Sequence, residues 1–299
     1  MSRYAALMVA VWAVGACHAV AVPTEDVKPG RHARTLAIGE DERTYNLRVP
    51  PSYDGTKPLP LVVLLHGYTG SADIVEAYTG FAAKADAEGF FLVTPNGLGR
   101  PQGWNMGFFR LGRPGADDHT FLTRMIEEVE KEVKVDPDRI YMTGHSNGGM
   151  MSLDMGSRLA GKLAAIASVA GTIGVHTAEG QRRIGAPKAP ISVLMIHGDA
   201  DPLVRYDDEQ TGLRVTSAPN GVRFWASELG GKTTPKKSEL LDGAVIVDSF
   251  PDAKAGVEIV LVTLKNGDHD WPRPPKTPFV ATDYIWEFFK RNPRRPATE

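Results

Sequence analysis

The chain has 299 residues, of which 42% are hydrophobic and 23% are charged, and its formal net charge is -2. This length and apolar content suit one large α/β domain or two small ones. The nearly balanced charge gives no reason to expect a nucleic-acid partner, and cysteine and histidine never recur at the spacing of a zinc site. We therefore expect neither nucleic acid nor a metal ion.

The amino-terminal residues have the composition of a secretion signal. Arg3 supplies a minimal positive charge, and residues 5–16 form an apolar stretch that is too short to span a bilayer. Ala19-Val20-Ala21 offers the small residues that ordinary signal peptidase requires before its cleavage site. The sequence thus predicts export, with a signal peptide over residues 1–21 and a secreted or periplasmic protein.

A second interpretation of the same segment remains open. Val14-Gly15-Ala16-Cys17 resembles a bacterial lipobox, which would end the signal at residue 16 and leave Cys17 acylated. The protein would then be anchored to the cell envelope, and this lipid would be its contact with a membrane. Cys17 is the only cysteine, so neither interpretation leaves an internal disulfide.

Apolar runs alternate with helical patterns along the rest of the chain. An antiparallel pair is predicted over residues 34–39 and 43–49, followed by strands at 60–65, 90–94, 139–143, 163–170, 191–196 and 257–264. Helices are predicted at 72–88, from 118 to before 136, from 149, at 222–229 and at 279–290. Because the later strands are almost continuously apolar, the pattern predicts a mostly parallel sheet with helices on both faces.

The sequence Gly144-His145-Ser146-Asn147-Gly148 joins a predicted strand to a predicted helix. G-x-S-x-G in this context is typical of a nucleophile elbow, a strained turn that exposes the serine hydroxyl. The two glycines leave room for the strand and the helix to approach each other. We predict that Ser146 is a nucleophile, and the alternative is an ordinary glycine-rich turn.

A serine nucleophile needs a base, and the chemistry of parallel sheets lies at the carboxyl ends of the strands. His269 follows the last apolar run and is the predicted base, with a surface-loop histidine as the alternative. His66 and His197 end strands directly before a glycine, and we interpret both as loop-shaping residues. His176 is predicted to lie in a loop, and His145 is expected to point away from the nucleophile.

The base in turn needs a carboxylate that orients it. The strand at 191–196 leads into a loop with two candidates, Asp199 and Asp201. Either one gives the chain order serine, aspartate, histidine that is found in α/β-hydrolases. Position alone leaves the choice open, and a loop or helix-capping carboxylate is the alternative for either.

A tetrahedral intermediate also needs backbone donors for its oxyanion. The first predicted donor is the N–H of Asn147, the residue after the nucleophile. The second should come from the loop after Leu65, where Gly67 permits a tight turn and we favour the N–H of Tyr68. The alternative for this loop is a simple helix entry capped by Ser71.

These residues resemble the secreted polyhydroxybutyrate depolymerase, feruloyl esterase and LpqC-type esterase family of the α/β-hydrolase fold. The similarity covers most of the mature chain. It is carried by residues 61–67, 81–90, 95–97, 104–105, 117–118, 135–141, 144–149, 197–201 and 267–272. Together these segments are far more specific than the G-x-S-x-G sequence alone.

The resemblance implies further roles for individual residues. The family pattern H-G-x-x-D implies that Asp201 is the acid, and it agrees with His269 as the base. It also implies that Trp104 and Trp271 line the acyl or aromatic pocket, with core packing as the alternative for each.

The chain departs from the family at two points. Tyr68 follows the His-Gly of the oxyanion loop, where many relatives have cysteine, and the sequence stops soon after its last helix without a binding domain for polymer or polysaccharide. Both departures favour a soluble or oligomeric ester over a solid polyester.

We predict that residues 22–299 form a single α/β-hydrolase domain that cleaves carboxylic esters through an acyl-serine intermediate, without metal or cofactor. The sequence leaves open whether the acyl group is hydroxyalkanoate, hydroxycinnamate or acetate. A serine peptidase on the same fold is the alternative among enzymes. A non-catalytic envelope lipoprotein that binds glycan or a partner is the alternative from another class.

Overall fold

The computed structural model describes residues 27–207 and 214–294. The predicted signal segment, both cleavage sites and Cys17 lie outside these residues. The strands are β1 (Gly30–Ile38), β2 (Asp41–Val49), β3 (Leu59–Leu65), β4 (Phe91–Pro95), β5 (Leu98–Gly99), β6 (Gln102–Gly103), β7 (Val135–His145), β8 (Ala165–Val169), β9 (Gly174–Thr177), β10 (Gly180–Arg183), β11 (Ser192–Gly198), β12 (Arg214–Val215), β13 (Lys236–Leu240), β14 (Val245–Phe250) and β15 (Ile259–Leu264). The helices are α1 (Ala72–Thr79), α2 (Phe81–Glu88), α3 (Asp118–Glu132), α4 (Asn147–Arg158), α5 (Ala218–Glu228) and α6 (Ala281–Arg291).

A 10-stranded sheet organises the described residues, with the strand order β1-β2-β4-β3-β7-β8-β11-β15-β14-β13. The central strands from β4 to β15 in this order pair in parallel. The strands outside them, β1 and β2 at one edge and β14 and β13 at the other, pair antiparallel. The prediction of a mostly parallel sheet is confirmed.

Both faces of this sheet are buried, which explains why its central strands are continuously apolar. Along β3, Leu61, Val63 and Leu65 belong to one core and Val62 and Leu64 to the other, because successive side chains point to opposite faces. Helices α3, α4 and α5 cover the first core, and α1, α2 and α6 cover the second. Helices on both faces are therefore also confirmed, as the α/β-hydrolase fold requires.

The single helix predicted over residues 72–88 is wrong. Helix α1 ends at Thr79 and α2 begins at Phe81, with Gly80 between them at a φ of 75°. This left-handed conformation costs glycine little, and the Gly80 N–H closes α1 by donating to the carbonyl of Glu76. The apolar periodicity continues across the break, so the sequence pattern did not reveal it.

Several short or polar strands are absent from the prediction. A 3-stranded sheet, in the order β10-β9-β12, stands apart from the central sheet. His176 lies in β9 of this sheet, so its predicted position in a loop is wrong. The edge hairpin of β13 and β14 was also missed, since β13 is fully exposed and Leu240 is its one apolar residue. Short exposed strands lack the hydrophobic pattern from which strands are predicted.

Candidate active site

Ser146 lies on the sharp turn between β7 and α4. Its φ of 53° and ψ of -118° put it in a conformation that residues other than glycine rarely adopt. Its N–H donates to the carbonyl of Val169 on the neighbouring strand β8, at 2.8 Å. Strain held in place by the surrounding sheet is a recurrent property of functional residues.

The glycines of the elbow are required by close backbone contact. A Cβ on Gly148 would lie 2.4 Å from the carbonyl oxygen of Leu65, and one on Gly144 would lie 2.5 Å from the backbone of Gly148. Strand β3, the elbow and the start of α4 therefore meet with no space for a methyl group. This contact brings the loop after β3 against the turn that carries Ser146.

We predict that Gly148→Ala destabilises the protein by about 1–3 kcal/mol or more, because the new methyl group overpacks a site walled by backbone. Gly161→Ala is the matched control, since a Cβ there meets nothing within 4 Å. Its free energy of unfolding should change by less than about 0.5 kcal/mol. Urea unfolding of both variants measures the difference, and equal stabilities would contradict the packing argument.

Three side chains from three loops meet in one line of hydrogen bonds. His269 Nδ1 lies 2.7 Å from Asp201 Oδ2, and His269 Nε2 lies 2.8 Å from Ser146 Oγ. Because the Asp201 carboxylate can only accept, Nδ1 carries the proton and Nε2 is left to accept from the serine hydroxyl. The residues predicted as nucleophile, base and acid are thus brought together from positions up to 123 residues apart in sequence.

The Asp201 carboxylate is buried, and both of its oxygens have hydrogen-bond partners. Oδ1 accepts from the N–H groups of Leu203 and Val204, and Oδ2 faces His269 and, at 3.2 Å, His197 Nε2. Burial alone would raise the pKa of this carboxyl, but the hydrogen bonds from His197, His269 and Val204 outweigh it and hold the pKa well below its usual range. Asp201 is therefore ionised at every pH at which the protein would work.

Asp199, the other candidate acid, has a different position. Its Oδ1 accepts from the N–H of Asn266, at 2.6 Å. A Cβ on Gly198 would lie 2.3 Å from Gly267, so the two loops after β11 and β15 are in direct contact. Asp199 thus ties the loop that carries Asp201 to the loop that carries His269, and it does not contact His269 itself.

The two predicted oxyanion donors lie in segments next to Ser146. Asn147 is the first residue of α4, so its N–H has no partner within the helix. The Asn147 side chain is fixed by the N–H of Trp104, which donates to Oδ1 at 2.7 Å. In the loop after β3, a Cβ on Gly67 would lie 3.5 Å from Ser146 Cβ, which places the Gly67–Tyr68 turn beside Ser146.

His66 holds the loop of this second donor in shape, as its position after β3 suggested. Its ring is fully buried; Nε2 accepts from the N–H of Gly97 at 2.9 Å, which leaves Nδ1 protonated to donate to Gly67 O at 2.7 Å. The Trp104 indole N–H donates to the carbonyl of His66, at 2.9 Å. Burial lowers the pKa of His66 to about 4, so its imidazole is neutral in the folded protein at neutral pH.

We predict that this burial makes the protein less stable in acid. Because the pKa of His66 is lower in the folded state than the 6.5 of the unfolded chain, the unfolded chain takes up a proton first as the pH falls from 6.5 toward 4. At 1.36 kcal/mol per unit, His66 alone should lower the free energy of unfolding by about 2–3 kcal/mol between pH 7 and pH 4.5. Urea unfolding at both pH values measures the loss of unfolding free energy. In His66→Asn this loss should be about 2–3 kcal/mol smaller than in the native protein. The same loss in both proteins would contradict the prediction.

The two tryptophans implied in substrate binding occupy different environments. Trp104 is 0% exposed and contacts the ring of His66, which agrees with the packing alternative. Trp271 is also buried, and its indole N–H donates to Thr282 Oγ1. Unlike Trp104, however, it lines a cavity of about 430 Å³ beside the histidine loop, together with Tyr78 and His145.

Sequence reasoning missed the position of His145. Its ring centroid lies 5.3 Å from that of His269, and its Nδ1 lies 3.1 Å from the Tyr78 hydroxyl. Burial, assisted by the charge of His269, lowers the pKa of His145 to about 4. The neutral imidazole of His145 therefore packs beside the ring of His269. His145 is the last residue of β7, and the sequence gave no signal for this contact because it depends on where the loop after β15 places His269.

This arrangement can activate a hydroxyl nucleophile and stabilise an oxyanion. Among residues 27–207 and 214–294, no group of three or more histidine, cysteine, aspartate or glutamate side chains is placed to hold a metal ion. The residues around Ser146 can support nucleophilic attack assisted by a base, with backbone N–H groups beside the turn.

Known proteins with similar sequences are esterases by name. Residues 116–219 match the phospholipase/carboxylesterase family Abhydrolase_2. NocK of Nocardia uniformis subsp. tsuyamanensis, named as an esterase, is 31% identical over 260 residues, which are 80% of this chain and 74% of NocK. Feruloyl esterase C of Emericella nidulans is 26% identical over 264 residues, 85% of this chain and 87% of that enzyme. Feruloyl esterase B of Piromyces equi is 29% identical over 231 residues, but this chain spans only 42% of its length.

Solved structures agree on the fold. The acetyl xylan esterase of Aspergillus awamori superposes with a TM-score of 0.64 at 15% identity, over 87% of this chain and 99% of that one. The ferulic acid esterase of Anaeromyces mucronatus gives a TM-score of 0.54 at 15% identity, over 91% of this chain and 93% of that one. At these identities the superpositions establish a shared fold.

Proposed function

The chain belongs to the esterase family of the α/β-hydrolase fold that includes NocK and the feruloyl esterases, and we propose that it is an exported serine esterase acting through an acyl-serine intermediate. The single observation that carries this proposal is the continuous line of hydrogen bonds from Asp201 through His269 to Ser146. It gives the serine hydroxyl a base, and it gives the base a fixed tautomer.

In the first half of the reaction, Ser146 Oγ attacks the ester carbonyl carbon while its proton passes to His269 Nε2. The carbonyl oxygen becomes an oxyanion that accepts from the N–H groups of Tyr68 and Asn147. One such donor contributes about 10²–10³-fold to the rate. When the tetrahedral intermediate collapses, the leaving alkoxide takes the proton from His269 Nε2, and the acyl group remains on Ser146.

In the second half, a water molecule takes the place of the alcohol. His269 Nε2 accepts a proton from this water as its oxygen attacks the acyl carbonyl, and the same N–H groups hold the second oxyanion. Collapse returns the proton to Ser146 Oγ and releases the carboxylic acid. Asp201 keeps its charge throughout and stabilises the imidazolium that forms twice in each turnover.

The two tryptophans have separate roles in this proposal. Trp104 acts through its hydrogen bonds to the His66 carbonyl and to Asn147, which keep both oxyanion donors in position. Trp271 and Tyr78 form the aromatic wall of the cavity beside His269 and contact the non-reacting part of the ester. The names of the related esterases point to aromatic acyl esters and acetyl esters as the first substrates to test.

Hydrolysis by the protein from Val22 onward tests the proposal. The panel holds acetyl, butyryl, oligomeric hydroxybutyryl and methyl ferulate esters, together with the amide that corresponds to each acyl group. Turnover of esters well above that of amides, lost in Ser146→Ala, is the expected result. Amide cleavage that exceeds ester cleavage would identify a peptidase instead, and a folded protein with no turnover would favour a binding role.

Export completes the proposal and rests on the sequence of residues 1–21. No helix within residues 27–207 and 214–294 combines the length and the apolar character needed to cross a bilayer. Mass spectrometry of the mature amino terminus distinguishes the two processing routes. A free terminus at Val22 supports ordinary cleavage, and an acylated Cys17 supports the envelope anchor.

A further inference from the structure

A second cavity, of about 470 Å³, lies on one face of the small sheet formed by β10, β9 and β12. Its polar wall is built by cross-strand neighbours. His176 in β9 pairs with Gln181 in β10 on one side and with Arg214 in β12 on the other. Residues directly opposite each other on neighbouring strands share a face. Arg183, two residues after Gln181, lies on the same face and also lines the cavity.

The described lining of the cavity is positively charged. Among the described residues that line it are Arg183 and Arg214 and no carboxylate. Within residues 27–207 and 214–294, neither arginine forms an ion pair with an acidic side chain, whereas Arg182, on the opposite face of the same strand, pairs with Glu179. Helix α5 begins beside the cavity with no acidic residue in its first turn, so the positive end of its dipole adds to the charge.

The other wall is apolar. The Arg183 guanidinium lies over the ring of Phe224, 4.3 Å from its centroid, which holds the cation at the cavity while leaving its N–H groups free to reach a ligand. Gln181 is oriented by a hydrogen bond to Thr216 Oγ1, at 2.9 Å. A guanidinium can donate two parallel hydrogen bonds to the two oxygens of a carboxylate. With an aromatic ring beside it, the site suits an organic molecule that carries a carboxylate.

A short stretch of chain connects the cavity to the elbow. Ile173, which lines it, comes four residues after Val169, whose carbonyl accepts from the N–H of Ser146. Four residues of extended chain reach no further than about 14 Å. The small sheet also follows the carboxyl end of β8, so it stands at the edge of the central sheet where Ser146 lies.

We infer that this cavity binds a free carboxylate carried by the ester substrate, several bonds from the ester that Ser146 cleaves. The inference rests on the proposed esterase function and narrows its substrate class to acidic esters. The carboxylate can be the free end of a hydroxy-acid oligomer or the uronate of an acidic glycan. Both present the same planar anion to Arg183 and Arg214.

Matched substrate pairs test the inference. One pair is the trimer of 3-hydroxybutyrate with a free terminal carboxylate and the same trimer as its terminal amide; the other is the acetyl ester of glucuronic acid and of glucuronamide. The native protein should show a kcat/KM about tenfold or more higher for the acid of at least one pair. The pair that shows the preference identifies the source of the carboxylate. Equal values within both pairs, or a preference for the amides, would overturn the inference.

Arginine variants locate the effect. Arg214→Gln should lower kcat/KM for the preferred acid about tenfold, the loss expected for a charge-assisted hydrogen bond, and change that for its amide less than twofold. Arg183→Gln should act in the same direction. Arg182→Gln is the matched control, since it removes an exposed arginine from the same strand, and it should leave both values unchanged. A loss that is equal for the acid and the amide, or equal in Arg182→Gln, would overturn the inference.

A binding measurement separates this inference from the proposed function. In Ser146→Ala no turnover is needed, and calorimetry should show tighter binding of the acid than of its amide, lost on adding Arg214→Gln. That result would support the carboxylate site even if no ester were hydrolysed. Turnover of neutral esters without discrimination between acid and amide would leave the esterase proposal standing and remove the carboxylate site.

Discussion

Replacing Ser146 with alanine should lower kcat for ester hydrolysis by a factor on the order of 10⁵, because removal of the nucleophile leaves only binding and oxyanion stabilisation. The fold should be retained, because the substitution removes only the side-chain hydroxyl and leaves the backbone at its φ of 53°. His269 would then face a methyl group in place of its 2.8 Å partner. Initial rates with a saturating ester and a thermal melt of the same sample measure both parts of the result.

Ser152→Ala is the matched control for this variant. Ser152 is buried in the same helix as the elbow, and its hydroxyl donates to the carbonyl of Gly148. Removing this bond should change kcat less than about threefold, because hydroxyl bonds to the preceding helical turn add little. Ester hydrolysis that persists in Ser146→Ala, or that is lost to the same degree in Ser152→Ala, would contradict the assignment of the nucleophile.

Asp201→Asn should lower kcat by about 10⁴-fold while the protein remains folded. The amide oxygen can still accept from the N–H groups of Leu203 and Val204, so the loop has its anchor. The amide nitrogen, however, donates to His269 Nδ1 and reverses its tautomer, which leaves a proton on Nε2 where the base is needed. Steady-state rates across pH 6–9 measure the loss, which should persist at high pH because the tautomer rather than the charge of the base is at fault.

Asp199→Asn is a close control because it changes the same group two residues earlier. Asp199 accepts from the N–H of Asn266 and does not contact His269, and an asparagine oxygen can accept in the same way. We expect kcat to change less than about threefold. A large loss in Asp199→Asn with a small loss in Asp201→Asn would reverse the roles of the two carboxylates.

The central features of the fold could be predicted from the sequence because they follow from burial. A run such as residues 61–65 is apolar throughout since both faces of β3 are covered, and no other secondary structure explains so short a run. Parallel strands bring their carboxyl ends to one edge, so the loops with Ser146, Asp201 and His269 could be assigned to one site from their order alone. The geometry that joins them is visible only in the structure.

Other features depend on contacts that sequence patterns do not record. The choice of Asp201 over Asp199 rested on a family resemblance, because two aspartates two residues apart in a loop have no distinguishing local pattern. The packing of His145, the last residue of β7, on His269 depends on where the loop after β15 places the second ring. The small sheet of β9, β10 and β12 consists of strands of two to four residues, too short for a period of two to be recognised.

Trapping the acyl-enzyme tests the central claim most directly. The native protein is mixed with an activated ester of an acid that is released slowly, quenched in acid within the first turnover, digested and analysed by mass spectrometry. The peptide containing Ser146 should gain the mass of the acyl group, and hydroxylamine should remove it. Continued ester turnover with no acyl group on Ser146, or with the acyl group on another residue, would contradict the claim.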